Sequence, residues 1–289
     1  MADSAANRIS WQQYDLRVDR IPAYAGQGPG GYGNSNDLES DPRLIVFWKF
    51  EASALLEDSI GNNDFVKVAG GTGDAVADPV NYISGLAAFD TTLPAQYVTY
   101  RVSPLDNNFP GSVNSTEKSY TFAFWIKLEY SPYYDDGGSF RQDTFASNAF
   151  RLQWDDYDYE NQSCYVDWRV TGLPTGGWHG QPINFTPTVG DRWDYGVWYH
   201  VGFTLSANEA LTETTWAARI YKSSTQGVLT LGGTLSGVIA SVGTVLNLAL
   251  TSWTGCTSVT RLDEFVIFEG VLTPTELAAI QAGTYEYSP

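Results

Sequence analysis

The clearest pattern in the chain is strict alternation of apolar and polar positions. Tyr120, Phe122, Phe124, Ile126 and Leu128 take every second place of one run, and Tyr199, Val201, Phe203 and Leu205 do the same in another. Successive side chains of an extended chain point to opposite faces, so each run predicts a strand with one face in a core. Trp216, Ala218 and Ile220 repeat the pattern just before Tyr221. The run Leu44 to Phe50 is apolar on both faces, as an inner strand of a sandwich is. The last strong run, Arg261 to Phe268, sets Asp263 and Glu264 among Leu, Phe, Val and Ile. An unpaired buried carboxylate is costly, so this pair predicts a partner elsewhere in the chain. After a turn at Gly270, Thr273 and Glu276 form a capping box with Pro274 at the first helical position, which predicts a short closing helix.

Between these runs, residues 129–148, 154–163 and 172–196 read as irregular segments rich in Tyr, Trp, Asp and Gly. Residues 1–42 differ from all that follows. The stretch from Ala25 to Asn34 is too rich in Gly to be the interior of a regular element. The chain therefore divides into an N-terminal arm and connector (1–42), one β domain (43–284) and a tail (285–289). Trp11, Tyr14 and Ile21 are the apolar anchors by which such an arm docks on its own domain or on a partner subunit.

Composition supports many short strands joined by turns: 28 Gly, 13 Pro and only 17% charged residues. With 33 acidic against 16 basic residues the formal charge is −17, a surface that repels phosphate backbones and speaks against nucleic-acid binding. Met1 to Asn7 has no basic region followed by an apolar run, so no signal peptide is expected. No stretch approaches the ~18 apolar residues of a membrane span. Cys164 and Cys256 match no metal or redox spacing and are expected as two reduced thiols.

The order of motifs carries a resemblance. Leu44–Phe50 leads into Asp58-Ser59-Ile60-Gly61-Asn62-Asn63-Asp64; then come Ala87-Ala88-Phe89-Asp90, Tyr120–Leu128 and Trp198-Tyr199-His200-Val201. Leu262–Phe268 with Leu272–Leu277 closes the series. Together these resemble the laminin G-like branch of the concanavalin A-like lectin/glucanase superfamily across residues 43–284. The resemblance implies an all-β fold, an antiparallel two-sheet jelly-roll sandwich with the extended arm before it and the short helix after it. It also implies a structural calcium held by Asp58, Asn63 and Asp263, with Asn62 or Asp64 as alternates. On the other reading Asp263 and Glu264 pair with Arg261 or cap the loop amides of residues 59–63.

Asp156, Asp158 and Glu160 fall on one side of an extended segment and resemble the Glu-x-Asp-x-Glu of superfamily hydrolases, with Asp in place of the leading Glu. Their flanks are polar loop, so a solvated acidic turn is the expectation. His179 and His200 are the only histidines, and neither accompanies a nucleophile motif. The stronger signal is aromatic. Tyr133, Tyr134, Trp154, Tyr157, Tyr159, Trp178, Trp193 and Trp253 gather in or beside the irregular segments. Aromatic faces beside Asp, Asn and Gln stack on sugar rings or form protein interfaces, and about half are expected simply to cap the sandwich core. The function expected is a non-enzymatic interaction protein mounted by its arm on the protein subunits of a larger assembly. An extracellular type of fold without signal or anchor suits a particle released by lysis, so the expectation is a phage head decoration, fibre or tail protein on the virion surface, with cell-surface glycans as ligands. A free glycan-binding adhesin and a polysaccharide-cleaving hydrolase are the alternatives.

Overall fold

The structure, a computed structural model, describes residues 36–68, 74–90, 100–102, 119–128, 140–146, 150–156, 162–168, 179–183, 196–236, 246–251 and 260–288. The strands in chain order are β1 (Leu44–Trp48), β2 (Val66–Lys67), β3 (Val76–Asp78), β4 (Ala88–Asp90), β5 (Tyr100–Val102), β6 (Ser119–Leu128), β7 (Phe140–Ala146) and β8 (Phe150–Asp156). They continue with β9 (Gln162–Trp168), β10 (His179–Ile183), β11 (Trp198–Ala207), β12 (Glu213–Lys222), β13 (Gly227–Ser236), β14 (Leu246–Thr251) and β15 (Thr260–Glu269), and helix α1 (Pro274–Ala282) follows. One sheet runs β13-β12-β11-β6-β15-β4-β3 with β1 added beside β15; the other runs β10-β9-β8-β7-β14-β5-β2. All pairings are antiparallel, which makes the fold the all-β sandwich that the alternation predicts.

The alternating residues fill the space between the sheets. Tyr120, Phe122, Phe124 and Ile126 of β6 and Tyr199, Val201, Phe203 and Leu205 of β11 share one core with Tyr100, Val102, Leu246 and Leu248 from the opposing sheet. Each such side chain contributes about 1.5–3 kcal/mol by leaving water. The Phe124 and Phe265 rings stack at 5.0 Å between centroids, which seats β15 against β6.

The segments read as irregular contain strands. β7 lies wholly within 129–148, β10 within 172–196, and β8 carries Trp154 on a strand, opposite Gln142 and Cys164. Sequences such as Phe140-Arg141-Gln142-Asp143-Thr144 lack an alternating apolar face. Their extended form comes from pairing with neighbouring strands, which no local pattern encodes.

Helix α1 has the predicted capping box: Thr273 Oγ1 accepts from Glu276 N at 3.2 Å and Glu276 Oε2 accepts from Thr273 N at 2.6 Å. Gly283 ends it in the left-handed region at φ 71. Leu277 and Ile280 pack with Phe47, Ala123, Val266 and Phe268 on the outer face of the larger sheet. The helix sits directly over Gly202, where a Cβ would stand 2.8 Å from the Leu277 side chain.

The packed unit extends past both ends assigned from sequence. Leu38 and Tyr285 are buried in the same outer cluster as α1. Asn36 Nδ2 donates to Ile280 O, Tyr285 N donates to Asn36 Oδ1, and the Tyr285 hydroxyl donates to Asp41 Oδ2. Arg43 forks onto Asp41 and reaches Glu276 at 2.7 Å. Residues 36–42 and 285–287 therefore pack on the domain rather than forming connector and tail. Trp11, Tyr14 and Ile21 lie outside the described residues.

Candidate functional site

The Asp58 loop closes on itself. Asp58 Oδ1 accepts from the Phe47 and Ile60 amides at 3.0 and 3.3 Å, and Oδ2 accepts from Asn63 Nδ2 at 3.1 Å and its amide at 3.4 Å. Gly61 has no room for a side chain, because a Cβ would fall 2.5 Å from Asp58 Oδ2. Trp48 Nε1 donates to Asn63 O at 2.9 Å, tying the loop to the core. Asp58 is thus a satisfied loop organiser.

Asp263 engages a different loop. Its Oδ2 accepts from the Ile83 and Ser84 amides at 2.7 and 3.1 Å, and the Ser84 hydroxyl donates to Glu264 Oε1. The hydrogen bonds of Asp263 and Glu264 thus tie the last strand to the turn at 82–86. A bulge makes this reach possible. Between Asp263 and Val266, β15 holds one residue more than β6 does between Trp125 and Ala123, and Glu264 takes φ 48. Both carboxylates are buried, and Asp263 Oδ1 has no hydrogen-bond partner. Burial, and next the adjacent Glu264 charge, hold the Asp263 carboxyl well above the usual carboxylate range against the backbone amides of Ile83, Ser84 and Glu264.

The 82–86 turn is held from two more directions. Glu51 accepts from the Leu86 amide at 2.9 Å, and its carboxylate covers Gly85 so closely that a Cβ there would stand 1.3 Å from Oε1. At the base of the turn, Arg261 bridges Asp78 at 2.7 Å and Asp90 at 3.2 Å. A polar cavity of about 310 Å³ opens beside Ser84, Gly85, Glu51 and Glu264, with Asp37, Glu39 and Lys49 across it. Sequence reasoning missed Glu51, Ser84 and Gly85. A Ser-Gly pair marks a turn, but nothing local says which carboxylates it receives.

Among the described residues no group of three or more His, Cys, Asp or Glu is arranged to hold a metal ion. No described helix is long and apolar enough to cross a membrane. His200 lies on the outer face of β11, buried, with its ring 5.2 Å from that of Trp125. Burial, aided by the Arg219 charge, pushes its pKa down to about 3, so it stays neutral and takes no proton at physiological pH.

The topology gathers most of the aromatic candidates. Leu128 of β6 lies opposite Thr260 of β15, and Lys127 lies opposite Trp198 of β11, so these three strand ends share one end of the larger sheet. In the other sheet Phe140 pairs with Asp156, Asp156 with Gln162, Gln142 with Thr251 and Cys164 with Ile183, which brings those strand ends together too. The connections 129–139, 184–197 and 252–259 join these two sets of ends, and 157–161 turns within the second set. Tyr133, Tyr134, Tyr157, Tyr159, Trp193 and Trp253 fall in sequence between these strand ends, and Trp154 lies two residues before the end of β8. Trp178 directly precedes His179, which pairs with Trp168 at the opposite end. Apart from the backbone of Trp154, all of these residues, with Asp158 and Glu160, lie outside the described residues.

Fold and topology thus define an antiparallel jelly-roll-like sandwich with a loop-rich end. No family model matches the sequence, and no curated protein matches it. Solved structures do share the fold. The receptor-binding domain of botulinum neurotoxin type G aligns with 83% of this chain at TM-score 0.54 and 12% identity, using 51% of its own length. The binding domain of Paraclostridial Mosquitocidal Protein 1 aligns with 81% at TM-score 0.52 and 15% identity, again over 51% of its length. The receptor-binding domain of botulinum neurotoxin D aligns with 83% at TM-score 0.53 and 10% identity. This chain spans about half the length of each, and at such identities what is shared is the fold.

Proposed function

We propose that this chain is a non-enzymatic interaction module, a laminin G-like jelly roll mounted through its N-terminal arm (residues 1–42) on a larger assembly, with its aromatic-rich segments binding a cell-surface glycan. The assembly in this reading is a phage virion, with the chain as a head decoration, fibre or tail protein. The observation that supports the binding role is the register of the strand ends that flank, in sequence, the segments bearing Tyr133, Tyr134, Tyr157, Tyr159, Trp193 and Trp253: Leu128, Trp198 and Thr260 share one end of the larger sheet, and Phe140, Asp156, Gln162, Ile183 and Thr251 share one end of the other. Aromatic faces held at one end of a rigid scaffold are suited to stacking on sugar rings. The solved neighbours, receptor-binding domains by their names, support a binding role over a catalytic one. A glycan array probed with the full chain tests it. Binding should fall about tenfold or more in Trp253→Ala and in Tyr133→Ala with Tyr134→Ala, a loss of about 1.4 kcal/mol or more, while Trp178→Ala at the other end retains it. A silent array, or equal loss in Trp178→Ala, overturns the glycan reading.

The structural calcium expected at Asp58, Asn63 and Asp263 belongs to this reading, with Asp263 the ligand that the geometry favours. Asp58 spends both oxygens on its own loop, whereas Asp263 Oδ1 is buried without a partner beside the second buried carboxylate of Glu264. Calcium accepts carboxylate and carbonyl oxygens together, so two carboxylates on a turn suit it, and its charge would offset their mutual repulsion.

A further inference from the structure

An exposed sheet edge offers a row of unpaired backbone groups, and proteins blunt such edges with short strands, Pro, charge or a covering loop. The edges here follow that rule with one exception. β3 has three residues and ends in Asp78; β2 has two and includes Lys67; β10 contains Pro182. The outer side of β1 is covered by the 58–60 loop, where Phe47 N donates to Asp58 and Phe47 O accepts from Ser59 N. The exception is β13. Its ten residues, Gly-Val-Leu-Thr-Leu-Gly-Gly-Thr-Leu-Ser, contain no charge and no Pro, and they pair with β12 without a bulge from Gly227–Lys222 to Ser236–Glu213. Among the described residues, no strand pairs with its other side.

We propose that β13 is a dimer edge, along which two copies of this chain pair antiparallel and join their larger sheets into one. Gly232 and Gly233 stand at the middle of the strand, where a Cβ would meet Trp216 of β12 at 3.0 and 2.9 Å, so this stretch carries no side chain on either face beside the open edge. Both are exposed, as are Thr230 and Thr234, and Val228 is half exposed. A second copy suits this edge better than an open-ended array because antiparallel self-pairing closes about a two-fold axis and stops. At a net charge of −17, two copies repel over most approaches, and an uncharged strand is where they meet without like-charge contact. Antiparallel pairing also sets the Lys222 end of each copy toward the Glu213 end of its mate, although with both β13 strands between them the opposite charges stand about 14 Å apart and attract only weakly.

Sedimentation equilibrium of the full chain should give twice the monomer mass at micromolar concentration. Thr230→Lys with Thr234→Lys should sediment as a monomer with an unchanged circular dichroism spectrum, while Ser224→Lys, in the neighbouring turn, should remain a dimer. Hydrogen exchange on the unmodified chain is a readout independent of any variant. The β13 amides directed away from β12 should be protected in concentrated samples and lose that protection on dilution. A monomeric wild-type chain, an assembly that survives the double lysine variant, or β13 amides that exchange freely within the dimer would each overturn the proposal.

Discussion

Asp78→Asn isolates the contact that anchors the 82–86 turn. Asp78 opposes its own desolvation with the amides of Val80 and Asn81, the Asn81 side chain and the Arg261 guanidinium, and its pKa falls from 3.8 to about 2. At about 1.4 kcal/mol per pKa unit, the charged form gains about 2 kcal/mol on folding. Its side chain is only 10% exposed, so solvent screening takes little from that figure. The sign follows from the depressed pKa. The contribution is present above the unfolded-state value near 3.8 and disappears as pH falls through about 2. Asparagine keeps an acceptor for the two amides but loses the charge facing Arg261. Urea unfolding at pH 7 should show about 2 kcal/mol of destabilisation, a midpoint shift of about 0.7 M for a slope near 3 kcal/mol/M. The gap should close to under about 1 kcal/mol near pH 2.5, or at the lowest pH where unfolding is still cooperative. A deficit that is constant with pH, or grows on acidification, would refute the charge-based account.

Three further outcomes are expected. Gly202→Ala pushes a methyl group into Leu277 and should lower stability by about 1–3 kcal/mol, read as a drop in melting temperature; an unchanged value would mean that α1 does not sit on that backbone. Deleting residues 1–35 removes Trp11, Tyr14 and Ile21 but keeps the Asn36 bonds to Ile280 and Tyr285, and should leave a folded chain that no longer incorporates into the assembly; a truncated chain that still incorporates removes the arm from the proposed function. Chelating calcium should lower the melting temperature of the wild-type chain and leave that of Asp263→Asn unaffected, since a ligand of the folded state stabilises it by mass action; superimposable wild-type curves with and without chelator count against a calcium at Asp263.

Local signals made part of this protein legible from its sequence. The strands β6, β11 and β12 announce themselves because large apolar residues at every second position suit a strand with one face in the core. The cap of α1 was equally legible, since Thr273, Pro274 and Glu276 satisfy one another within a single turn. The Asp58 loop was visible as a motif for the same reason: its hydrogen bonds stay within a few residues, apart from those to Phe47 and Trp48.

Three-dimensional packing decided what the long-range contacts decide. That Asp263 meets Ile83 and Ser84 rather than Asp58 depends on which turn reaches the β15 bulge, across 180 positions of sequence, and charge or spacing cannot encode that choice. The strands β7 and β10 exist because neighbours offer them hydrogen bonds, and Tyr285 is buried because its hydroxyl donates to Asp41 and accepts from Arg43. Which strand ends flank the segments carrying Tyr133 to Trp253 emerges only once strand order is known. The sequence by itself determined the fold class and the composition of each surface; tertiary structure alone decided which of those surfaces face the same way, because the pairing of distant strands is a property of the whole sheet and not of any segment in it.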